Sequence, residues 1–334
     1  VSELASVFSA AGALAQVVPG FRARPGQLEM AEAIKNSIEN QSVMVAEAGT
    51  GTGKTFAYLV PALRSGGKVI VSTGTKTLQD QLFHRDIPTV RDALKVPVTV
   101  ALLKGRANYV CHHHLEGAKF DGRFPTKDDA MHLARIDSFS RVSHSGDRAD
   151  CAEVPENAAI WSFVTSTREN CLGSNCEHHD KCFVMRARKA ALEADVVVVN
   201  HHLFFADVML RDEGVAELLP ACNTVIFDEA HQLPETASLF FGESVSTAQL
   251  LDLARDTRIE GTTSARDFPE LQHAADRLEK TARDLRLAFR ESGARLPASA
   301  LDHRSEAAES LVAACGKLAE MAETLHTQAA RSEG

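Results

Sequence analysis

The chain has 334 residues, 44% of them apolar, seven cysteines and a formal net charge of -9. That length gives room for about two domains with substantial cores, and the acidic balance excludes a uniformly basic nucleic-acid-binding surface. No apolar run reaches the ~20 residues of a membrane-spanning helix. Glu3 stands where a secretory leader needs positive charge, so residues 4–18 are expected to form a packed or amphipathic N-terminal helix and the protein to be cytoplasmic.

Val43-Met44-Val45-Ala46 reads as a short buried strand, and the stretch from Lys54 to Leu63 has helical composition. Between them lies Ala48-Gly49-Thr50-Gly51-Thr52-Gly53-Lys54-Thr55, the relaxed form of a phosphate-binding loop, with alanine where the strict pattern has glycine. Gly49, Gly51 and Gly53 carry no Cβ, so successive backbone NH groups can wrap a phosphate at the positive end of the following helix. Lys54 is expected to reach the β- and γ-phosphates of ATP and the Thr55 hydroxyl to hold Mg²⁺. A dinucleotide fingerprint starting at Gly49 fails, because its third glycine would fall at Lys54.

Further strands are predicted at 68–72, 98–103, 195–200 and 224–227, each short and rich in β-branched residues. The last delivers Asp228 and Glu229 at its carboxyl end, where ligands gather in an open parallel sheet. Asp228 is expected to hold Mg²⁺, and Glu229 to orient and deprotonate the attacking water, with His231 following them. The predicted fold class is therefore α/β, a RecA-like P-loop parallel sheet.

Cys111 stands ahead of Cys171, Cys176 and Cys182, which are spaced C-x4-C-x5-C in a polar segment. Thiols so close together in an intracellular chain point to a metal rather than to disulfides. The absence of paired C-x2-C arms favours an iron-sulfur cluster over zinc. Zinc remains the alternative, with His178, His179 or one of His112 to His114 replacing a thiolate. Cys151 is left out of the ligand set, and Cys222 and Cys315 read as small apolar residues.

Basic and acidic groups balance in residues 104–190, 13 against 12, and acids dominate 191–240, 9 against 1. A DNA path is thus a local groove, with Lys104, Arg106, Arg186, Arg188 and Lys189 as candidates. Beyond residue 240, Leu250, Leu253, Leu271, Leu278, Leu285 and Phe289 recur at helical spacing and predict the core face of a helical domain.

Several stretches in this order resemble the DinG/YoaA branch of the XPD-like superfamily 2 DNA helicases. They are Phe21 to Gln27 with Met30, Glu47 to Thr55, Val71 to Leu82, Lys104 to Cys111, Val199 to Leu203, and Asp228 to His231. The resemblance implies that Arg24 and Gln27 recognise the adenine and that Thr73, Thr75 and Gln79 touch the DNA backbone. It assigns Cys111, Cys171, Cys176 and Cys182 as ligands of a 4Fe-4S cluster in a wedge near the point of strand separation.

It also implies four segments: 1–110 and 191–240 as the first RecA-like domain, 111–190 as the iron-sulfur domain, and 241–334 as part of a helical arch. The implied activity is ATP-dependent 5' to 3' unwinding of single-stranded or forked DNA in repair or replication, in company with other repair or replication proteins. By the same resemblance the second RecA-like domain is not among these residues, so they are expected to hydrolyse ATP poorly alone, and no exonuclease-like segment is expected ahead of the motifs. A metal-containing nucleic-acid-binding module and an RNA helicase are the competing readings.

Overall fold

The computed structural model describes residues 3–49, 51–121, 126–168, 170–212, 218–242, 245–288 and 306–332. The chain divides into two compact units, Val1–Gly242 and Glu243–Gly334.

In the first unit, helix α1 (Pro25–Glu39) is followed by the glycine loop and helix α2 (Lys54–Arg64). Strand β1 (Val69–Thr73), helix α3 (Lys76–Gln81) and strand β2 (Val100–Leu102) come next. Residues 106–193 then leave the sheet and include helices α4 (His112–Asp121), α5 (Lys127–Val142) and α6 (Phe183–Glu193). The chain returns through strand β3 (Val196–Asn200), helix α7 (His201–Asp212), strand β4 (Thr224–Phe227) and helix α8 (Leu233–Phe241).

Among the described residues four strands form one parallel sheet, in the order β2-β3-β1-β4. The two inner strands are covered on both faces, which is why 69–73 and 196–199 are unbroken runs rather than alternating patterns. Parallel pairing sets Ser72 opposite Val199 and Phe227, so the carboxyl ends of β1, β3 and β4 meet at one edge. The expected strand at 43–46 is not in this sheet. Val43 and Val45 are 94% and 93% exposed, because an apolar run becomes a strand only where a neighbour supplies its ladder, and no described strand pairs with it.

The excursion at 106–193 has an apolar core of its own, built around Ile136, Ile160, Trp161, Val164 and Phe183. Gly146 lies so close to the Phe183 ring, at a φ of +64°, that a Cβ there would stand 2.1 Å from it. Lys104 ties this part to the sheet. It is buried, with Nζ 2.7 Å from Asp80 and 2.6 Å from Asp147, and the Tyr109 hydroxyl accepts from its backbone NH at 3.0 Å. Burial alone would lower the basicity of this ammonium, but the hydrogen bonds and charges of Asp147 and Asp80 outweigh it and raise the pKa.

Replacing Lys104 by Met strands Asp147 in the interior. The loss expected is about 3 kcal/mol, at the low end for a broken buried pair because Asp80 reaches solvent. A shift in the urea midpoint measures it, and an unchanged midpoint would refute the role.

The second unit contains helices α9 (Thr247–Thr263), α10 (Pro269–Ala288) and α11 (Glu306–Ser332). Ser246 and Gln249 form a reciprocal capping box at the start of α9. The predicted core positions Leu271 and Leu278 are buried, and Leu250 packs against them. Leu253 is 50% exposed instead, because the i,i+4 partner of Leu250, the fully buried Ala254, faces the core. Phe289 lies outside the described residues.

Candidate functional site

The phosphate loop takes the shape that its glycines allow. Gly51 and Gly53 have φ of +74° and +83°, and Gly53 caps α2 in the left-handed conformation. Gly53 is needed for a second reason: a Cβ there would stand 2.1 Å from Gln27 Nε2. That amide donates to the Gly53 carbonyl at 2.9 Å, so α1 braces the loop from outside. Thr52 Oγ1 closes a tight turn onto the Gly49 carbonyl at 2.8 Å. Arg24, Gln27, Glu47, Ala48, Thr52 and Lys54 are among the residues lining a cavity of about 470 Å³ beside the loop. Thr50 lies outside the described residues.

At the end of β4, the Asp228 backbone NH donates to the Ser72 carbonyl at 2.8 Å. The chain then turns at Glu229, which is left-handed at φ 57°, ψ 44°, a conformation that costs a non-glycine residue about 1–3 kcal/mol and concentrates at functional sites. The turn brings Glu229 Oε1 to 3.7 Å from Lys54 Nζ, while His231 Nδ1 stands 3.4 Å from Glu229 Oε2. Burial first, and then the Glu229 charge, raise the Asp228 carboxyl above its ordinary range, with Lys54 opposing.

Tyr58 was not singled out from the sequence. It is buried one turn along α2 from Lys54 and Thr55, and its hydroxyl lies against Thr55 and Asp228, with its pKa raised by burial and then by the Asp228 charge. Helical spacing from Thr55 was the signal that could have found it.

Two of the three residues expected on the DNA backbone are corrected by burial. Gln79 is fully buried and donates to the Leu103 carbonyl at 3.3 Å, and Thr73 is fully buried at the end of β1. Thr75 is exposed and caps α3, accepting from the Leu78 NH at 3.2 Å. The proposed basic groove is also revised. Lys104 is committed to its two aspartates, Arg106 and Arg188 line the cysteine cavity, and Arg186 donates to the His144 carbonyl at 3.0 Å over the Phe183 ring. Lys189 alone of the five is an exposed side chain with no such engagement.

Cys111, Cys171, Cys176 and Cys182 converge on one cavity of about 260 Å³. Cys111 immediately precedes α4 and Cys182 immediately precedes α6. Two single-turn 3-10 segments, Gly173–Asn175 and His179–Lys181, curl the intervening loop so that Cys171 and Cys176 face the same space. Burial raises the Cys111 thiol first of all, the backbone NH groups of His114 and His113 oppose it, and the neighbouring Cys182 and Cys176 add to the rise. Cys151 is buried in the adjacent apolar core instead. Cys222 and Cys315 pack against two other apolar clusters.

The DEAD/DEAH box helicase family profile matches residues 24–115. The ATP-dependent DNA helicase YoaA of Escherichia coli (strain K12) is 50% identical over 288 residues, which is 86% of this chain and 45% of that protein. YoaA of Haemophilus influenzae is 47% identical over 286 residues, 86% of this chain and 45% of that protein. The ATP-dependent helicase DinG of Mycobacterium tuberculosis (strain H37Rv) is 34% identical over 296 residues, 82% of this chain and 44% of that protein. The chain thus spans a little under half the length of the curated relatives it matches. Being 50% identical to YoaA over 86% of its length, the chain is a homologue of the YoaA and DinG helicases and carries a DEAD/DEAH-box helicase domain.

Proposed function

We propose that this chain is the ATP-binding and iron-sulfur half of an ATP-dependent DNA helicase. The observation that carries the reading is the 3.7 Å approach of Lys54 to Glu229, which brings the phosphate-loop and acid motifs together from distant parts of the chain. Residues 48–55 bind the phosphates through backbone NH groups and Lys54, and Arg24 and Gln27 border the cavity that would take the adenine. Thr55 and Asp228, which share the Tyr58 hydroxyl as neighbour, would hold Mg²⁺, which neutralises phosphate charge when bound. Glu229 accepts the proton of the attacking water, and His231 borders it.

The cysteine cavity fits a polynuclear cluster better than one ion. Thiolates on a single tetrahedral zinc stand about 3.8 Å apart, from Zn–S bonds of about 2.3 Å. Among the described residues the ligand groups that close to within 4.8 Å of one another comprise Glu116, Glu177 and His178, not the cysteines. Four thiolates would supply the ligands of a 4Fe-4S cluster, an element that holds the 171–182 loop in shape. Residues 111–190 are then the iron-sulfur domain, set into the RecA-like domain of 1–110 and 191–240, with 241–334 as part of an arch. Single-stranded or forked DNA is the substrate in this reading, 5' to 3' the direction and the cytoplasm the compartment.

The test uses the protein at its full encoded length, purified anaerobically. ATP-dependent opening of forked DNA is expected, and Lys54→Ala is expected to abolish it while DNA is still retained in a filter-binding assay. Opening by Lys54→Ala, or equal opening of RNA duplexes, would overturn the DNA-motor reading.

A further inference from the structure

The residue after β3, His201, is 1% exposed, and the phosphate and acid motifs leave it without a role. Its Nδ1 lies 2.7 Å from Ser72 Oγ, and Ser72 is itself fully buried. The carbonyl of that same serine accepts from the Asp228 backbone NH at 2.8 Å. The imidazole also lies tilted at about 50° against the Phe227 ring, with centroids 6.1 Å apart, and Phe227 directly precedes Asp228. One ring therefore braces the entry to the acid turn from two sides.

The chemistry of the second nitrogen points the same way. With the Ser72 hydroxyl donating to Nδ1, the neutral tautomer carries its proton on Nε2. That nitrogen completes no hydrogen bond. Burial lowers the basicity of the ring, and the backbone groups of Asp228 and Glu229 act against that. The ring thus neighbours the backbone of Glu229, the residue held left-handed.

We propose that His201 is a positioning residue for hydrolysis: through Ser72 and Phe227 it holds the Asp228–Glu229 turn in the left-handed form that sets the Glu229 carboxylate opposite Lys54. This rests on the helicase reading above and names a residue that acts on that site without touching nucleotide. Displacing Glu229 by even ~1 Å lowers turnover about 100-fold. Because the phosphate loop is untouched, substrate binding stays as it was.

The experiment measures steady-state ATP hydrolysis by the protein at its full encoded length, with single-stranded DNA present. Ser72→Ala and His201→Leu are each expected to lower kcat about 10- to 100-fold with KM within about twofold. His201→Asn, whose side-chain carbonyl can accept from Ser72, is expected to recover most of the loss. The Ser72→Ala/His201→Leu double variant is expected to fall no further than the worse single variant. Wild-type kcat in Ser72→Ala, equal loss in His201→Asn and His201→Leu, or a fall in kcat that merely follows the melting temperature overturns this inference alone. No hydrolysis by the unmutated protein overturns the helicase reading and takes this inference with it.

Discussion

Glu229→Gln is expected to lower ATP turnover by about 10²- to 10⁴-fold, the usual contribution of a general base, while nucleotide is still bound. The amide keeps the shape of the carboxylate and removes its capacity to accept a proton. It also releases Lys54, which the carboxylate faces at 3.7 Å, so affinity for the triphosphate is expected to hold or rise. The left-handed turn at Glu229 is a backbone property supported by the Ser72–Asp228 hydrogen bond, and the amide leaves it in place. Phosphate release and fluorescent-nucleotide binding measure the two effects separately. Turnover within about threefold of the parent protein would move the base elsewhere, because no general base contributes so little.

The second large effect is expected at the cysteines. Anaerobically purified protein should be brown, with about four irons per chain. Cys171→Ser or Cys111→Ser should bring the iron close to zero, whereas Cys151→Ser, at a buried position in the apolar core, should leave it unchanged. The structural consequence follows from where the packing is. The excursion has its own apolar core around Trp161, Ile160 and Phe183, so losing the cluster should not unfold it outright. The segment 171–182 is held by two short 3-10 turns. Protease cleavage confined to that loop is the expected signature of cluster loss. Colourless protein with stoichiometric zinc would reverse the assignment, and scission throughout 106–193 would show that the apolar core depends on the metal.

The chemical identities at the site were legible from residue type and spacing. Glycines at 49, 51 and 53 before Lys54, and acids directly after an apolar run at 224–227, depend on local backbone rules that any chain obeys. Four of the five expected strands were legible as short β-branched runs and do pair in one parallel sheet. The converging cysteines needed only the expectation that thiols at 111 and 171–182 share one space.

What only the tertiary structure decided is which polar groups face inward. Lys104 read as a surface charge and is buried between Asp80 and Asp147. Gln79 read as a hand toward DNA and is sealed against Leu103. Tyr58, whose only local signal is its helical spacing from Thr55, and His201, which carries none, both end beside Asp228. The apolar run at 43–46 has strand composition and no described ladder partner. Composition and period specify what one segment prefers, but burial, pairing and the fate of a polar atom depend on which distant segment packs against it.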